Sequence, residues 1–162
     1  MKKISFTLLL FSVLCFSQKR DAYFILDNSS DDYIILTNSR KITKETNINS
    51  IDYFSISLRK DYNEYLKQIE IEKKENPGIE SLWGLGGGPK LNKLEFNVIS
   101  KSKELISIDK FKNKWFVDYN WLYANSWKEN NDNIVFKNLY FLIKVDYYQY
   151  KSFKVGRTLT IN

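Results

Sequence analysis

The sequence contains no histidine, and its single cysteine, Cys15, lies near the N-terminus. Without histidine the chain lacks the usual general base, the serine–histidine relay and the commonest zinc ligand. With one cysteine it forms no internal disulfide, so the core alone must hold the fold. The chemistries that remain use carboxylates, serine–lysine pairs or tyrosine. We therefore predict no metal and no cofactor, and we favour a protein without catalytic activity.

Long apolar runs are also scarce, and the N-terminal one covers only residues 4–14. A membrane-spanning helix takes about 20 apolar residues, so this run is too short to cross a bilayer. Lys2 and Lys3 precede it and the small residue Ser17 follows it, which is the pattern of a signal peptide. We predict that residues 1–17 are removed, that the mature chain is periplasmic or secreted, and that it has no transmembrane segment.

The end of this segment reads "FSQ" and resembles export signals of the Bacteroidetes. That resemblance implies a protein of a bacterial cell envelope. Cys15 raises the alternative of a lipoprotein, whose signal places a small residue directly before the acylated cysteine. Leu14 occupies that position, so we interpret Cys15 as the small residue two positions before a cleavage site after Ser17.

Residues 18–162 suit a single globular domain, because no repeat or linker divides them and the length suffices for a sizeable core. The net charge is +6. Lysine and glutamate are interleaved in stretches such as "KQIEIEKKE". A nucleic-acid-binding protein would instead concentrate its basic residues on one face. We therefore expect no nucleic-acid partner. The sequence leaves the oligomeric state open.

In the first half of the chain, apolar spacing predicts strands followed by one long helix. Residues 23–26 and 33–37 are β-rich and flank the turn signal "DNSSDD", which predicts a hairpin. Residues 53–58 alternate and predict a half-buried strand. Helical spacing predicts a helix over residues 62–75, with Asp61 and Glu64 forming a capping box.

The second half predicts three more strands, within "KLEFNVISK", "NIVFKNLYFLIKVD" and "KSFKVGRTLTI". Between the first two, Ser107 or Asp109 begins one short helix and Asp118 or Asn120 begins another. The predicted fold is an α+β domain in which one main helix packs on a face of an antiparallel sheet. The alternative is a small β-sandwich or barrel with a helical insertion.

The stretch "SLWGLGGGPK" is rich in glycine and ends in lysine, but it does not match a phosphate-binding loop. Such a loop requires Gly-Lys-Ser/Thr, whereas Pro89 separates Gly88 from Lys90 and Leu91 follows. Proline also removes one of the amides that would hold a phosphate. We predict a mobile surface loop, in which Trp83 either contacts a ligand or anchors the loop to the core.

Aromatic residues make up 16% of the chain and are dense in "KWFVDYNWLYANSW". Exposed rings stack on sugars and form interface hot spots, whereas buried rings build the core. Arg157 falls among apolar residues of the last strand. We interpret it as guarding an edge strand, or as turned outward by a bulge at Gly156, with a ligand pocket as the alternative. The candidate residues for ligand or partner contact are Trp83, Trp115, Tyr119, Trp121, Trp127 and Arg157.

The remaining candidates are four carboxylates in or near loops. Two carboxylates held about 5 to 10 Å apart can hydrolyse glycosides. The spacing of these four marks no such pair, so solvation or helix capping is the simpler interpretation. They are Glu80, Asp109, Asp118 and Asp146.

Taken together, these patterns predict an exported, non-catalytic binding or interaction protein of a bacterial cell envelope. We expect its partner to be an envelope protein, such as a toxin that it blocks, or a glycan. The alternative is a carboxylate-dependent hydrolase acting on cell-wall or polysaccharide glycans.

Overall fold

The described part of the chain forms one curled, mostly antiparallel sheet of nine strands, a half-barrel, with two α-helices. The computed structural model describes residues 20–27, 29–37, 40–41, 46–79, 88–126 and 136–158. The predicted signal peptide and most of the glycine-rich stretch lie outside these residues, together with Glu80, Trp83 and Trp127.

The strands are β1 (Arg20–Leu26), β2 (Tyr33–Thr37), β3 (Arg40–Lys41), β4 (Tyr53–Leu58), β5 (Leu94–Lys101), β6 (Ile106–Ser107), β7 (Trp115–Phe116), β8 (Phe136–Asp146) and β9 (Gln149–Arg157). The α-helices are α1 (Arg59–Glu75) and α2 (Tyr119–Asn125), and short 3-10 helices cover Ile48–Ser50 and Ile108–Phe111.

The strand order is β3-β2-β4-β5-β9-β8-β1-β7, with β6 beside one end of β9. Only the two pairs that β1 makes, with β7 and with β8, are parallel. The prediction of an α+β domain built on an antiparallel sheet is therefore confirmed in outline. The sheet curls into a half-barrel, so the alternative prediction of a barrel is partly consistent with the structure.

The predicted hairpin between the first two strands is wrong, although both strands form. β1 pairs with β8, from Arg20 opposite Phe136 to Leu26 opposite Ile143, whereas β2 pairs with β4. The physical reason lies in β1 itself, since consecutive residues of both faces are buried. Such a continuous apolar run requires cover on both faces, which is typical of an interior strand.

The main core lies on the concave face of the sheet and is built largely from phenylalanine. The Phe141 ring contacts Phe96 at a centroid distance of 4.7 Å and Phe54 at 5.4 Å, both edge to face. Leu122 of α2 and Ile51 belong to the same cluster. A smaller cluster covers the other face around Tyr23, Phe111, Leu142 and Tyr150.

Strand β4 is buried on both faces, so the prediction of a half-buried strand is wrong. Ser55 and Ser57, on the face opposite to Phe54 and Ile56, are 3% and 1% exposed. The Ser57 hydroxyl donates to the Asn92 carbonyl oxygen at 2.7 Å, which satisfies a polar group that has lost contact with water. Small side chains here leave room for α1, which contacts β2 and β4.

Helix α1 begins three residues earlier than predicted and lacks the capping box. Leu58 is its N-cap and makes no side-chain capping bond, because the chain passes directly from β4 into the helix. Asp61 instead lies in the first turn, where a carboxylate favours the helix dipole, and accepts a bond from Asn92 Nδ2 at 3.2 Å. None of the helix residues is fully buried.

The two predicted starts of short helices are confirmed. Ser107 caps the 3-10 helix Ile108–Phe111, and Asp118 caps α2. Across the described ranges, no helix combines the length and apolar character needed to cross a membrane.

Candidate functional site

An open cleft of about 740 Å³ lies between β1, β2, the start of α1 and the segment that leads into α2. Aromatic and aliphatic side chains form part of its wall, and charged side chains lie around them. The lining residues are Phe24, Ile25, Asp31, Asp32, Tyr33, Leu58, Arg59, Lys60, Phe116, Val117, Asp118, Tyr119 and Asn120.

Two stacked tyrosines form the aromatic wall. Tyr33 is the first residue of β2 and Tyr119 the first of α2, and their ring centroids are 6.1 Å apart with planes at 13°. The Tyr33 hydroxyl donates to the Ile25 carbonyl oxygen at 3.4 Å, and the Phe24 ring packs against Tyr33 at 5.6 Å. Burial raises the pKa of both phenols, so both keep their protons at neutral pH.

Phe116 also lines the cleft. Its ring packs against Tyr23, on the face of the sheet opposite to Phe24, at a centroid distance of 6.2 Å. It is 40% exposed, at the end of the edge strand β7. Two residues later Asp118 adopts an extended backbone and accepts a bond from the Trp121 amide through Oδ1 at 2.7 Å. This cap starts α2 at Tyr119 and thereby places the Tyr119 ring in the wall of the cleft.

The rim carries charges of both signs. The Arg59 side chain donates through Nε to the Asp31 carbonyl oxygen at 3.0 Å and through Nη2 to that of Ser30. These bonds hold the turn before β2 against the first residue of α1. The carboxylates of Asp31 and Asp32 and the ammonium group of Lys60 belong to exposed residues on the same rim.

The two candidate tryptophans that the structure describes, Trp115 and Trp121, lie outside the lining of the cleft. Trp115 and Trp121 contact each other edge to face at 5.0 Å, and Trp121 contacts Phe136 at 5.5 Å. Both are partly buried against the main core, and neither lines the cleft. Tyr119 is the candidate residue that reaches it, while Trp83 and Trp127 lie outside the described residues.

Arg157 lies on an interior strand, so its interpretation as an edge-strand guard is wrong. Strand β9 runs between β5 and β8, and Arg157 pairs with Phe96. Gly156 stays in regular register with Asn97, and the irregularity falls at residues 98–100 of β5. Because no bulge at Gly156 turns it outward, Arg157 remains on the face of β9 that carries Val155.

The guanidinium of Arg157 is partly buried beside α2. Its Nη1 donates to the Ser126 hydroxyl oxygen at 3.0 Å, and Ser126 itself is 1% exposed. Burial lowers the pKa of Arg157, and the phenols of Tyr123 and Tyr119 partly offset that shift. Arg157 therefore adjoins Tyr119 without lining the cleft.

The described candidate carboxylates each have a local structural partner. Asp118 caps α2, Asp109 pairs with Lys112 at 3.0 Å, and Asp146 accepts from the Tyr147 amide at 2.6 Å. Within the ranges that the structure describes, no three Asp, Glu, His or Cys side chains gather closely enough to hold a metal ion. Glu80 lies outside those ranges.

The sequence patterns pointed to Tyr119, and Phe116 belongs to the same aromatic stretch without being a named candidate. They did not point to Tyr33 or Arg59. An available signal was that Tyr33 opens a strand directly after two aspartates, which places a ring beside carboxylates. No protein-family model matches the chain, and comparisons with curated proteins and with solved structures likewise gave no match. A functional inference must therefore come from the chemistry of the cleft.

Proposed function

We propose that the protein is an exported, non-catalytic binding module of a bacterial cell envelope that holds a glycan in the cleft. The observation that carries this proposal is the stacked Tyr33–Tyr119 pair in the wall of an open cleft whose rim carries polar and charged side chains. Aromatic faces bury the C–H surface of a sugar, and the neighbouring polar groups bond its hydroxyls.

The rim favours a neutral or mixed polar ligand over a nucleic acid. Asp31 and Asp32 lie beside Lys60, so the cleft does not present the concentrated positive charge that a phosphate backbone requires. The N-terminal signal pattern supports a location where wall and surface glycans are abundant.

In this proposal α1 is the main helix packed on a face of the sheet, and its first turn lines the cleft. It contacts β2 and β4, and Tyr62 and Tyr65 line a second cavity of about 460 Å³ together with Leu36 and Ser55 of those strands. The helix therefore helps to hold β2, and with β2 the ring of Tyr33, in place.

Binding of the mature chain, residues 18–162, to purified wall glycan and to a panel of polysaccharides tests the proposal. We expect Phe116→Ala to weaken binding about three- to eightfold. A ligand can bury only the 40% of this side chain that is exposed, which corresponds to about 0.6–1.2 kcal/mol of the roughly 1.5–3 kcal/mol for a whole phenylalanine. Tyr148→Ala is the matched control, since Tyr148 is 72% exposed in the β8–β9 turn and does not line the cleft.

Two outcomes contradict the glycan proposal. If the Phe116 and Tyr148 variants lose glycan affinity equally, the binding is nonspecific hydrophobic contact with exposed rings. Absence of glycan binding, with recovery of one envelope protein by cross-linking in cells, replaces the glycan with a protein partner.

A carboxylate-dependent hydrolase is the second candidate, and one observation favours it. Asp31, Asp32 and Asp118 line the same cleft. If the cleft cuts the glycan, release of new reducing ends accompanies binding and is lost on changing one of these residues to asparagine. Bound glycan that stays intact over a prolonged incubation removes this candidate.

A further inference from the structure

The charge of Arg157 lacks a counter-ion among the described residues. The guanidinium is partly buried near the end of β9, and its one side-chain partner is the hydroxyl of Ser126. No Asp or Glu of the described ranges lies within ion-pair distance of it. A guanidinium that has lost part of its contact with water gains from a counter-ion, so the arrangement favours an anion.

The bond to Ser126 also sets the direction of the guanidinium fork. Nη1 is held at 3.0 Å from a hydroxyl that is itself buried, which restrains the plane of the group. Nη2 and Nε then have N–H donors for which the described part of the chain supplies no acceptor. Two parallel donors of this kind match the two oxygens of a carboxylate or two of the three of a phosphate.

Two neighbouring phenols add hydrogen-bond donors, and the carboxylate of Asp61 acts on one of them, Tyr119, but not measurably on Arg157. The phenols of Tyr119 and Tyr123 are close enough to interact electrostatically with Arg157. Tyr119 is partly buried, whereas Tyr123 is 56% exposed and opens the site to solvent. A neutral phenol donates a hydrogen bond to an oxyanion through its O–H group, so both hydroxyls complement the guanidinium.

We propose that Arg157, with the hydroxyls of Tyr119 and Tyr123, binds an oxyanion of a ligand, either a carboxylate or a phosphate group. The site shares Tyr119 with the cleft but contains a different polar anchor. It does not depend on the proposed glycan function, because it follows from the unpaired guanidinium and its orientation by Ser126.

Arginine side-chain NMR tests this site directly, because the chain has only four arginines. The Nε–H signal of Arg157 is assigned by its disappearance in Arg157→Lys. We titrate the wild-type protein with sodium acetate and, separately, with sodium phosphate, each at constant ionic strength balanced with chloride. We expect a saturable shift of the Arg157 signal. A stronger response to acetate identifies a carboxylate as the preferred group, and a stronger response to phosphate identifies a phosphate.

Variants separate a built site from general charge attraction. We expect Arg157→Gln to weaken anion binding about tenfold or more, and Tyr123→Phe to weaken it about two- to tenfold while leaving the fold intact. Lys137→Gln removes the same charge from an exposed position on β8 and leaves the affinity unchanged.

An Arg157 signal that does not move, or that moves equally with chloride, overturns the proposal. An equal loss of affinity in Lys137→Gln also overturns it, because the attraction is then one of net charge. If Arg157→Gln does not fold, the Tyr123→Phe result and the wild-type titration still decide the question. Failure here with intact glycan binding leaves the cleft proposal standing.

Discussion

The ring of Tyr33 lies parallel to that of Tyr119, with centroids 6.1 Å apart, and this contact joins the first residue of β2 to the first residue of α2. The wall of the cleft is therefore a packed contact between two elements rather than the side of a loop. A ligand that stacks here meets rings whose positions are already set, which lowers the entropy lost on binding.

This pair predicts different effects for two changes at Tyr33. Tyr33→Phe keeps the ring and removes the hydroxyl. The bond of this hydroxyl to the Ile25 carbonyl oxygen is long at 3.4 Å, and the hydroxyl also interacts with the Asp27 backbone and the Ser30 side chain, so we expect a loss of stability of about 1 kcal/mol. Tyr33→Ala removes the stack and the contact with Phe24, for which we expect about 2 kcal/mol. Urea unfolding measures both. Equal losses would show that the hydroxyl, not the ring, holds the wall.

Asp118 provides a test that separates capping from catalysis. Its Oδ1 accepts the Trp121 amide at 2.7 Å, so Asp118→Ala removes the cap and costs about 1 kcal/mol, whereas Asp118→Asn retains an acceptor and costs little. Thermal unfolding of the two variants checks this order. If the protein is a hydrolase that uses this carboxylate, Asp118→Asn abolishes turnover at unchanged stability. Equal stability of the alanine and wild-type proteins contradicts the capping role.

Thr158 carries a buried hydroxyl oxygen that has no hydrogen-bond partner among the residues that the structure describes. Thr158→Val has nearly the same shape and removes the cost of that unpaired group, so we expect a gain of up to about 1 kcal/mol in the free energy of unfolding. Ser57→Ala is the contrasting control, because it breaks the bond to the Asn92 carbonyl and should destabilise by about 1 kcal/mol. A loss of stability in Thr158→Val would mean that the hydroxyl has a partner in solution.

The tyrosines predict a decline of stability in alkali. Burial raises the pKa of five phenols above the ordinary value of 10.0, and at Tyr53 a hydrogen bond with Glu95 adds to the shift. The folded state therefore holds these protons more tightly than the unfolded state. The resulting stability is fully present below about pH 10 and is lost as the pH rises further. The five are Tyr23, Tyr33, Tyr53, Tyr119 and Tyr140.

Urea unfolding at several pH values, with tyrosinate absorbance at 295 nm, measures this effect. Tyr53→Phe should reduce the alkaline slope, because it removes one titrating group. No histidine is present to add a step between about pH 5 and 8. A stability that stays constant well above pH 10 would contradict the prediction.

Local patterns predicted the elements of this fold better than their pairing. The strands and the two short helices form near the predicted positions, since alternation and capping residues act over a few neighbouring residues. The partner of β1 depends on contacts distant in sequence. Its buried run of Ala22, Tyr23 and Phe24 does signal an interior strand, but a short polar turn after it favours a hairpin equally well.

The same limit applies to the site. Tyr119 stands out because it belongs to a dense aromatic stretch, whereas Tyr33 acquires its role only by meeting Tyr119 in three dimensions. Arg157 is conspicuous in the sequence as a charge on an apolar face. Whether it guards an edge or lies inside the sheet is decided by β5, which pairs with β9 over a long sequence separation.

The position of β1 in the sheet has a consequence for the order of folding. Asp21, on this first strand, accepts a hydrogen bond from Asn138 of β8, 117 residues later in the chain. During synthesis β1 therefore has no long partner until β8 has been made. Closing so distant a contact costs chain entropy before the strands bury apolar surface, so we expect folding to be slow. Until β8 pairs with β1, the apolar residues of β1 stay accessible to chaperones.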